Sequence, residues 1–136
     1  MNAVDTNILL YVHDPRDPAK QATAASLVES LSDGVLLWQV ACEYIAASRK
    51  LGSLGYGFAQ AVEDIEELRR LWFTILPSWN SLDRANQLMA RFSLSFWDAI
   101  LLGCCLESGV ERLYSEDFHT PAEIDRLCIV NPFRDV

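Results

Sequence analysis

The sequence is poor in the features that mark exported, membrane-bound or zinc-holding chains. It has no apolar run of about 18 residues, no basic stretch ahead of an apolar one, and no small-residue cleavage pattern. Neither secretion nor membrane insertion is expected, and a cytoplasmic chain is. The four cysteines, Cys42, Cys104, Cys105 and Cys128, form no CxxC pair and have no histidine at ligand spacing. Three of them sit in apolar runs, so all are expected to be reduced and buried. The two histidines, His13 and His119, are too few to suggest zinc and are expected on the surface. Internal repeats, linkers and low-complexity segments are also missing. The 136 residues therefore read as one domain, 1–136, long enough to bury roughly two-thirds of the unfolded chain's surface. The glycine-rich stretch Gly52-Ser53-Leu54-Gly55-Tyr56-Gly57 lacks the GxxxxGK[ST] order and follows no strand, which argues against a phosphate-binding loop.

What the chain does have is acid. Nineteen acids face 11 bases, for a formal net charge of -8. That balance opposes phosphate binding unless the acids hold divalent cations, which would neutralise or reverse the local field. It also suits a basic protein partner. Nine of the 11 bases are arginine, the better residue for bidentate phosphate contacts but equally common on solvated helix faces.

Apolar spacing organises the chain into alternating strands and helices. A first strand ends at Val4 and passes through Asp5-Thr6-Asn7 into a helix beginning at Thr6. Asp17 followed by Pro18 reads as an N-cap with proline at the first helical position, opening a helix to about Leu31. Val35–Trp38 is a short continuous apolar run of the kind expected in a buried parallel strand. Helical spacing returns over Gln39–Leu51 and again over Phe58–Trp72, whose acids lie three or four residues ahead of its arginines on what should be a solvated face. Further elements are expected at Phe73–Leu76 (strand), Leu82–Arg91 (helix), Ala99–Leu106 (a helix apolar all round, hence buried), Glu111–Tyr114 (strand) and Leu127–Val130 (strand). Alternation of this kind predicts an α/β fold, a central parallel sheet flanked by helices in three layers.

In such a sheet, ligands bind beyond the carboxyl ends of the strands. Four acids stand at or just past such ends or at helix starts: Asp5, Glu43, Asp98 and Asp117. Each has a bland reading of its own. Asp5 fits an N-cap, Glu43 a solvated helix position, and Ser95-Phe96-Trp97-Asp98 a capping box. Asp117 fits a turn in which Ser115 bonds the backbone. Four coincidences at one kind of junction are harder to dismiss. Two carboxylates about 4 Å apart repel by roughly 4 kcal/mol at an effective dielectric near 20, so a cluster needs a positive counterpart. Hard oxygen ligands without cysteine or histidine favour Mg²⁺ or Mn²⁺.

These residues resemble the PIN-domain ribonucleases, and within them the VapC-type toxins of toxin-antitoxin pairs. The resemblance rests on Val4-Asp5-Thr6-Asn7, on Glu43 early in its helix and on Phe96-Trp97-Asp98-Ala99. Leu113-Tyr114-Ser115-Glu116-Asp117-Phe118 and the closing Ile129-Val130-Asn131-Pro132-Phe133 extend it over essentially the whole chain. It implies an α/β/α fold and Mg²⁺- or Mn²⁺-dependent hydrolysis of RNA. Asp5, Glu43, Asp98 and Asp117 would be the metal ligands, with a metal-activated water as nucleophile and no covalent intermediate. Thr6, Asn7 and Ser115 would steady the carboxylates or the metal's water, and Glu116 is an alternative to Asp117. It further implies a cognate antitoxin that reaches into the active-site groove, a homodimer, and an RNA held by some of Arg49, Lys50, Arg69, Arg70, Arg84 and Arg91.

A receiver domain would need an early acidic pair and a late lysine, and the lysines here are Lys20 and Lys50. A haloacid-dehalogenase-type phosphatase would need Asp-x-Asp where this chain has Asp5-Thr6-Asn7. The remaining alternative is a non-catalytic PIN-like scaffold that binds RNA or protein.

Overall fold

A computed structural model describes residues 1–118 and 121–134, so His119 lies outside the described residues. The chain opens with β1, Asn2–Val4, which passes through Asp5 into α1, Thr6–Tyr11. Pro18–Ser30 forms α2, begun by an Asp17 side chain that accepts from the Lys20 N–H at 3.1 Å. β2, Gly34–Leu37, is buried along its whole length, as a strand covered on both faces must be. It leads without a loop into α3, Trp38–Ala47, followed by a 3₁₀ segment, Ser48–Leu54. Then come α4 (Phe58–Leu71), β3 (Phe73–Ile75), α5 (Trp79–Arg91), α6 (Phe96–Glu107) and β4 (Arg112–Tyr114). A short β5, Glu123–Ile124, pairs with β6, Leu127–Val130, to close the described chain. No helix among the described residues is long and apolar enough to cross a membrane.

The six strands make one sheet in the order β3-β2-β1-β4-β6-β5, parallel throughout except for the β5–β6 pair. Helices flank it. In register, Ala3 of β1 lies between Val35 of β2 and Leu113 of β4, and all three are buried. This register carries the ends of β1 and β4 to the same level.

Several expectations need correction. The sheet is mainly parallel as expected, and the two-residue β5, not foreseen from the sequence, adds one antiparallel pair at its edge. Trp38 opens a helix rather than ending a strand, and its ring is half exposed. The helix expected to run to Leu51 tightens into 3₁₀ geometry from Ser48, ahead of Gly55 at φ 90°. α5 starts at Trp79, three residues before its apolar spacing begins, because Ser78 and Ser81 cap each other's backbone N–H groups. α6 likewise begins at Phe96. Cys42, on α3, is exposed and Cys128, in β6, only half-buried, while Cys104 and Cys105 of α6 are buried. All four are free.

His13, expected on the surface, is half-buried. It stacks on Tyr56 with ring centroids 4.3 Å apart and stands 3.1 Å from Asp64. Burial holds its imidazole below the usual value against the pull of Asp64. Asp64 therefore leaves the solvated face expected of α4 and accepts a 2.5 Å hydrogen bond from the Tyr56 hydroxyl, which also bonds Tyr44. Only Glu66 and Arg69 form the expected helix-face ion pair, at 2.9 Å, among the described residues.

α5 and α6 approach closely because Gly103 of α6 has no side chain. A β-carbon there would lie 2.6 Å from the Ser81 carbonyl oxygen and 3.1 Å from the Ala85 nitrogen, both backbone atoms that cannot turn aside. Gly103→Ala is expected to destabilise the fold by about 1–3 kcal/mol, the usual range for overpacking. Urea denaturation measures it, and an unchanged midpoint would show that the helices can separate freely.

Candidate active site

The site begins where two parallel strands stop together. The Asp5 N–H donates to the Tyr114 carbonyl at 2.9 Å, stitching the residue after β1 to the last residue of β4. Asp5 is 7% exposed. One carboxylate oxygen accepts from the Thr6 N–H at 2.7 Å, so Asp5 does cap α1. The other accepts from the Ser115 hydroxyl at 2.7 Å, one residue beyond β4. Cap and site residue are the same group.

The other acids are reached from here through neutral side chains. The Thr6 hydroxyl donates to Glu43 Oε2 at 2.8 Å, and Gln39 Nε2 donates to Glu43 Oε1 at 2.8 Å from one helical turn earlier. The same Gln39 nitrogen donates to the Trp97 carbonyl at 3.1 Å, which ties α3 to the first turn of α6 beside Asp98. Asp98 is half-buried, and its N–H donates to Ser95 Oγ at 3.2 Å. Only that half of a capping box forms, so the Asp98 carboxylate is not spent on the cap. Asp117 is exposed, accepts from Asn7 Nδ2 at 2.8 Å, and donates its N–H to Ser115 Oγ at 3.2 Å. The turn expected at Ser115 forms, and it leaves the Asp117 carboxylate facing Asn7.

Glu116 points elsewhere. It accepts from the Tyr11 hydroxyl at 2.6 Å and from the Lys20 ammonium at 2.9 Å. Lys20 also lies over the Tyr11 and Phe133 rings, and its ammonium is held above the usual lysine value chiefly by Glu116. The loop after β4 thus divides two adjacent acids between two tasks.

Burial raises the Asp5 carboxyl from its usual value near 3.8 to about 6; the hydrogen bonds from Ser115 and Thr6 oppose the rise, and the charges of Glu43 and Asp117 add to it. Asp5, Glu43 and Asp117 therefore share one electrostatic environment. Among the described residues, however, no three acidic, histidine or cysteine side chains are gathered closely enough to hold a metal ion as they stand. The donor chemistry nonetheless fits a hard cation. Asn7 Oδ1 and Gln39 Oε1 are buried amide oxygens without a hydrogen-bond donor, while the nitrogens of the same amides serve Asp117 and Glu43. Carboxylates beside two unsatisfied amide oxygens lack a positive partner, and a divalent cation with its waters would supply one.

Sequence reasoning missed Gln39, Tyr11 and Lys20. Gln39 carried a readable signal, an amide four residues before a carboxylate on one helix. Lys20 and Tyr11 carried none, because their link to Glu116 spans about a hundred residues of chain.

Residues 3–127 match the family model of the PIN domain. The chain belongs to that family. No curated protein sequence matches it. Solved structures similar to this PIN domain include a toxin-antitoxin complex from Klebsiella pneumoniae, with 19% identity over 98% of each chain and a TM-score of 0.73. They also include VapC20 from Mycobacterium tuberculosis, described as a sarcin-ricin loop cleaving toxin, with 19% identity over 88% of this chain and 92% of that one and a TM-score of 0.68. A third is VapBC2 from Rickettsia felis bound to a DNA fragment from its promoter, with 12% identity, 96% and 97% coverage and a TM-score of 0.67. At these identities the likeness is one of fold.

A carboxyl whose folded value exceeds its unfolded one favours the folded state while protonated. Its contribution is complete below about pH 4 and is lost as pH rises through about 6, a swing of about 3 kcal/mol for this PIN domain without metal. Asp5→Asn removes the titrating group and keeps its shape. Metal-free Asp5→Asn is expected to unfold at a higher temperature than the native chain at pH 8, and the difference should shrink at pH 4. Equal differences at both pH values, measured by thermal melts, would mean that burial does not burden Asp5.

Proposed function

We propose that this PIN domain is an endoribonuclease dependent on Mg²⁺ or Mn²⁺, the toxin of a toxin-antitoxin pair, with Asp5, Glu43, Asp98 and Asp117 as metal-holding acids. The observation that carries the reading is the buried Asp5 carboxylate, which feels two further carboxylates beside amide oxygens that have no donor. A scaffold without chemistry has no use for so costly an arrangement. When bound, the ion supplies Lewis acidity, easing ionisation of the attacking water and offsetting charge that builds on the phosphate oxygens.

The chain's own residues hold and aim. Thr6 and Ser115 direct their hydroxyl protons at Glu43 and Asp5, fixing both carboxylates while leaving lone pairs over for a cation. Asn7 does the same for Asp117 from α1, and Gln39 couples Glu43 to the helix that carries Asp98. Glu116, drawn away by Tyr11 and Lys20, anchors the loop after β4 instead of binding metal.

Partners follow from the surface and from the relatives. Similar structures include toxin-antitoxin complexes, and the net charge of -8 suits an antitoxin segment with a basic side chain near the acids. Phe73 of the edge strand β3 and Trp79 at the start of α5, 72% and 81% exposed, would be covered in a homodimer. RNA as substrate accords with the activity named for the M. tuberculosis relative. Free cysteines accord with a reducing cytoplasm.

The test is cleavage of RNA by the purified chain, free of antitoxin, with Mg²⁺ or Mn²⁺ and with EDTA. Activity should require metal and disappear in Asp5→Asn, whereas Asn7→Ala, which removes only a support, should cost about 10–100-fold. Cleavage that survives in Asp5→Asn would reduce Asp5 to a helix cap. RNA binding without metal binding or cleavage would favour the scaffold.

A further inference from the structure

Resting on that nuclease reading, we propose that Lys50 and the cavity joining it to Asn7 form a subsite for an RNA backbone phosphate flanking the one to be cleaved. Of the six candidate bases, Arg49, Lys50 and Arg70 are exposed without a carboxylate partner among the described residues, and the other three are paired. Arg69 is held by Glu66 at 2.9 Å, Arg84 by Glu107 at 3.1 Å and Asp125 at 3.6 Å, and Arg91 by Asp125 at 3.3 Å. Of the three unpaired bases, Lys50 is the one that lines a cavity together with Asn7.

Its position connects it to the acids. A cavity of about 190 Å³ has Asn7 and Tyr11 of α1 on one side and Ala47 and Lys50 on the other. Asn7 is the residue whose nitrogen holds Asp117 and whose buried oxygen lacks a donor, so the cavity shares one wall with the site. Glu43, Ala47 and Lys50 are spaced by four and three residues, which sets them along one side of α3 and its 3₁₀ continuation. Lys50 thus stands about 10 Å along the helix from Glu43, beyond reach of the reacting phosphorus but within reach of a neighbouring phosphate.

Charge then selects the occupant. Asp14 and Arg16 also line the cavity, but they bond each other at 2.7 and 2.8 Å and cancel. Lys50 is left as the uncompensated charge, a cationic spot beside a strongly acidic centre. A polyanion crossing that centre needs such a spot, since the acids alone repel it even when a cation is bound. A single-stranded RNA backbone fits it, because consecutive phosphates would meet the cation at the acids and then Lys50.

The experiment compares the full-length chain with Lys50→Gln, Lys50→Arg and a control, Arg84→Gln, whose charge is already paired. Cleavage of an unpaired, fluorescently labelled RNA in Mn²⁺ is followed from low to moderate salt, and anisotropy reads binding of the same RNA. Lys50→Gln is expected to raise KM about five- to tenfold with kcat within about twofold, and to lower the salt slope by about 0.7, one single-strand phosphate contact. Lys50→Arg should restore both and Arg84→Gln should change neither. An unchanged KM and slope in Lys50→Gln, with the native chain still cutting RNA, would overturn the subsite and leave the nuclease reading standing. A native chain that binds RNA without cutting it would overturn the nuclease reading, and anisotropy would still judge Lys50. If neither cleavage nor binding is seen, both fall. A polyglutamate peptide that competes as well as RNA of equal length would assign the cavity to an acidic protein segment and overturn the phosphate subsite.

Discussion

The Asp5 carboxylate, held between the first N–H of α1 and the Ser115 hydroxyl, is the constraint on which the rest of the structure turns. One oxygen starts a helix and the other fastens the loop after β4 to the end of β1. From that group the hydrogen bonds branch outward, through Thr6 to Glu43, through Ser115 to the Asp117 backbone, and through Asn7 to the Asp117 carboxylate. The cost is a charge taken out of water beside two others of the same sign. A raised Asp5 pKa is how that cost registers in the metal-free chain.

Neutral side chains are what make the arrangement tolerable. Hydroxyl and amide donors stand between the carboxylates, so each acid is fixed without being neutralised, and no lysine or arginine of the described chain pairs with Asp5, Glu43 or Asp117. Lys20, the cation tied into the adjoining loop, is spent on Glu116. The charge balance of the centre is thereby left open to something from outside the chain, and the two orphaned amide oxygens point the same way.

Much of this was legible in the chain alone. β2, α2 and α6 followed from continuous apolar runs, an Asp-Pro start and an all-round apolar helix, because in each the local pattern and the tertiary burial agree. Asp5 and Ser115 were legible because both sit at abrupt changes from apolar strand to polar junction. Other features depended on partners far away in sequence. Nothing around Asp64 separates it from its solvated neighbours until His13 and Tyr56 fold against it. The start of α5 was hidden because Ser78 and Ser81 make a capping box from two serines rather than the usual serine and glutamate. Asp98 was visible as a residue, but its link to Glu43 runs through Gln39 and a backbone carbonyl, which no spacing rule records.

Without metal, the Asp98 carboxylate shares no bond with the other three acids among the described residues. The direct measurement is Mn²⁺ binding at neutral pH, by electron paramagnetic resonance, for the native chain and for Asp98→Asn. Membership of one metal centre predicts that the native chain binds Mn²⁺ and that Asp98→Asn weakens binding by about tenfold or more while the fold is retained. A native chain that binds no Mn²⁺, or an Asp98→Asn chain that binds it equally well, would contradict the proposal that the four acids form a single site.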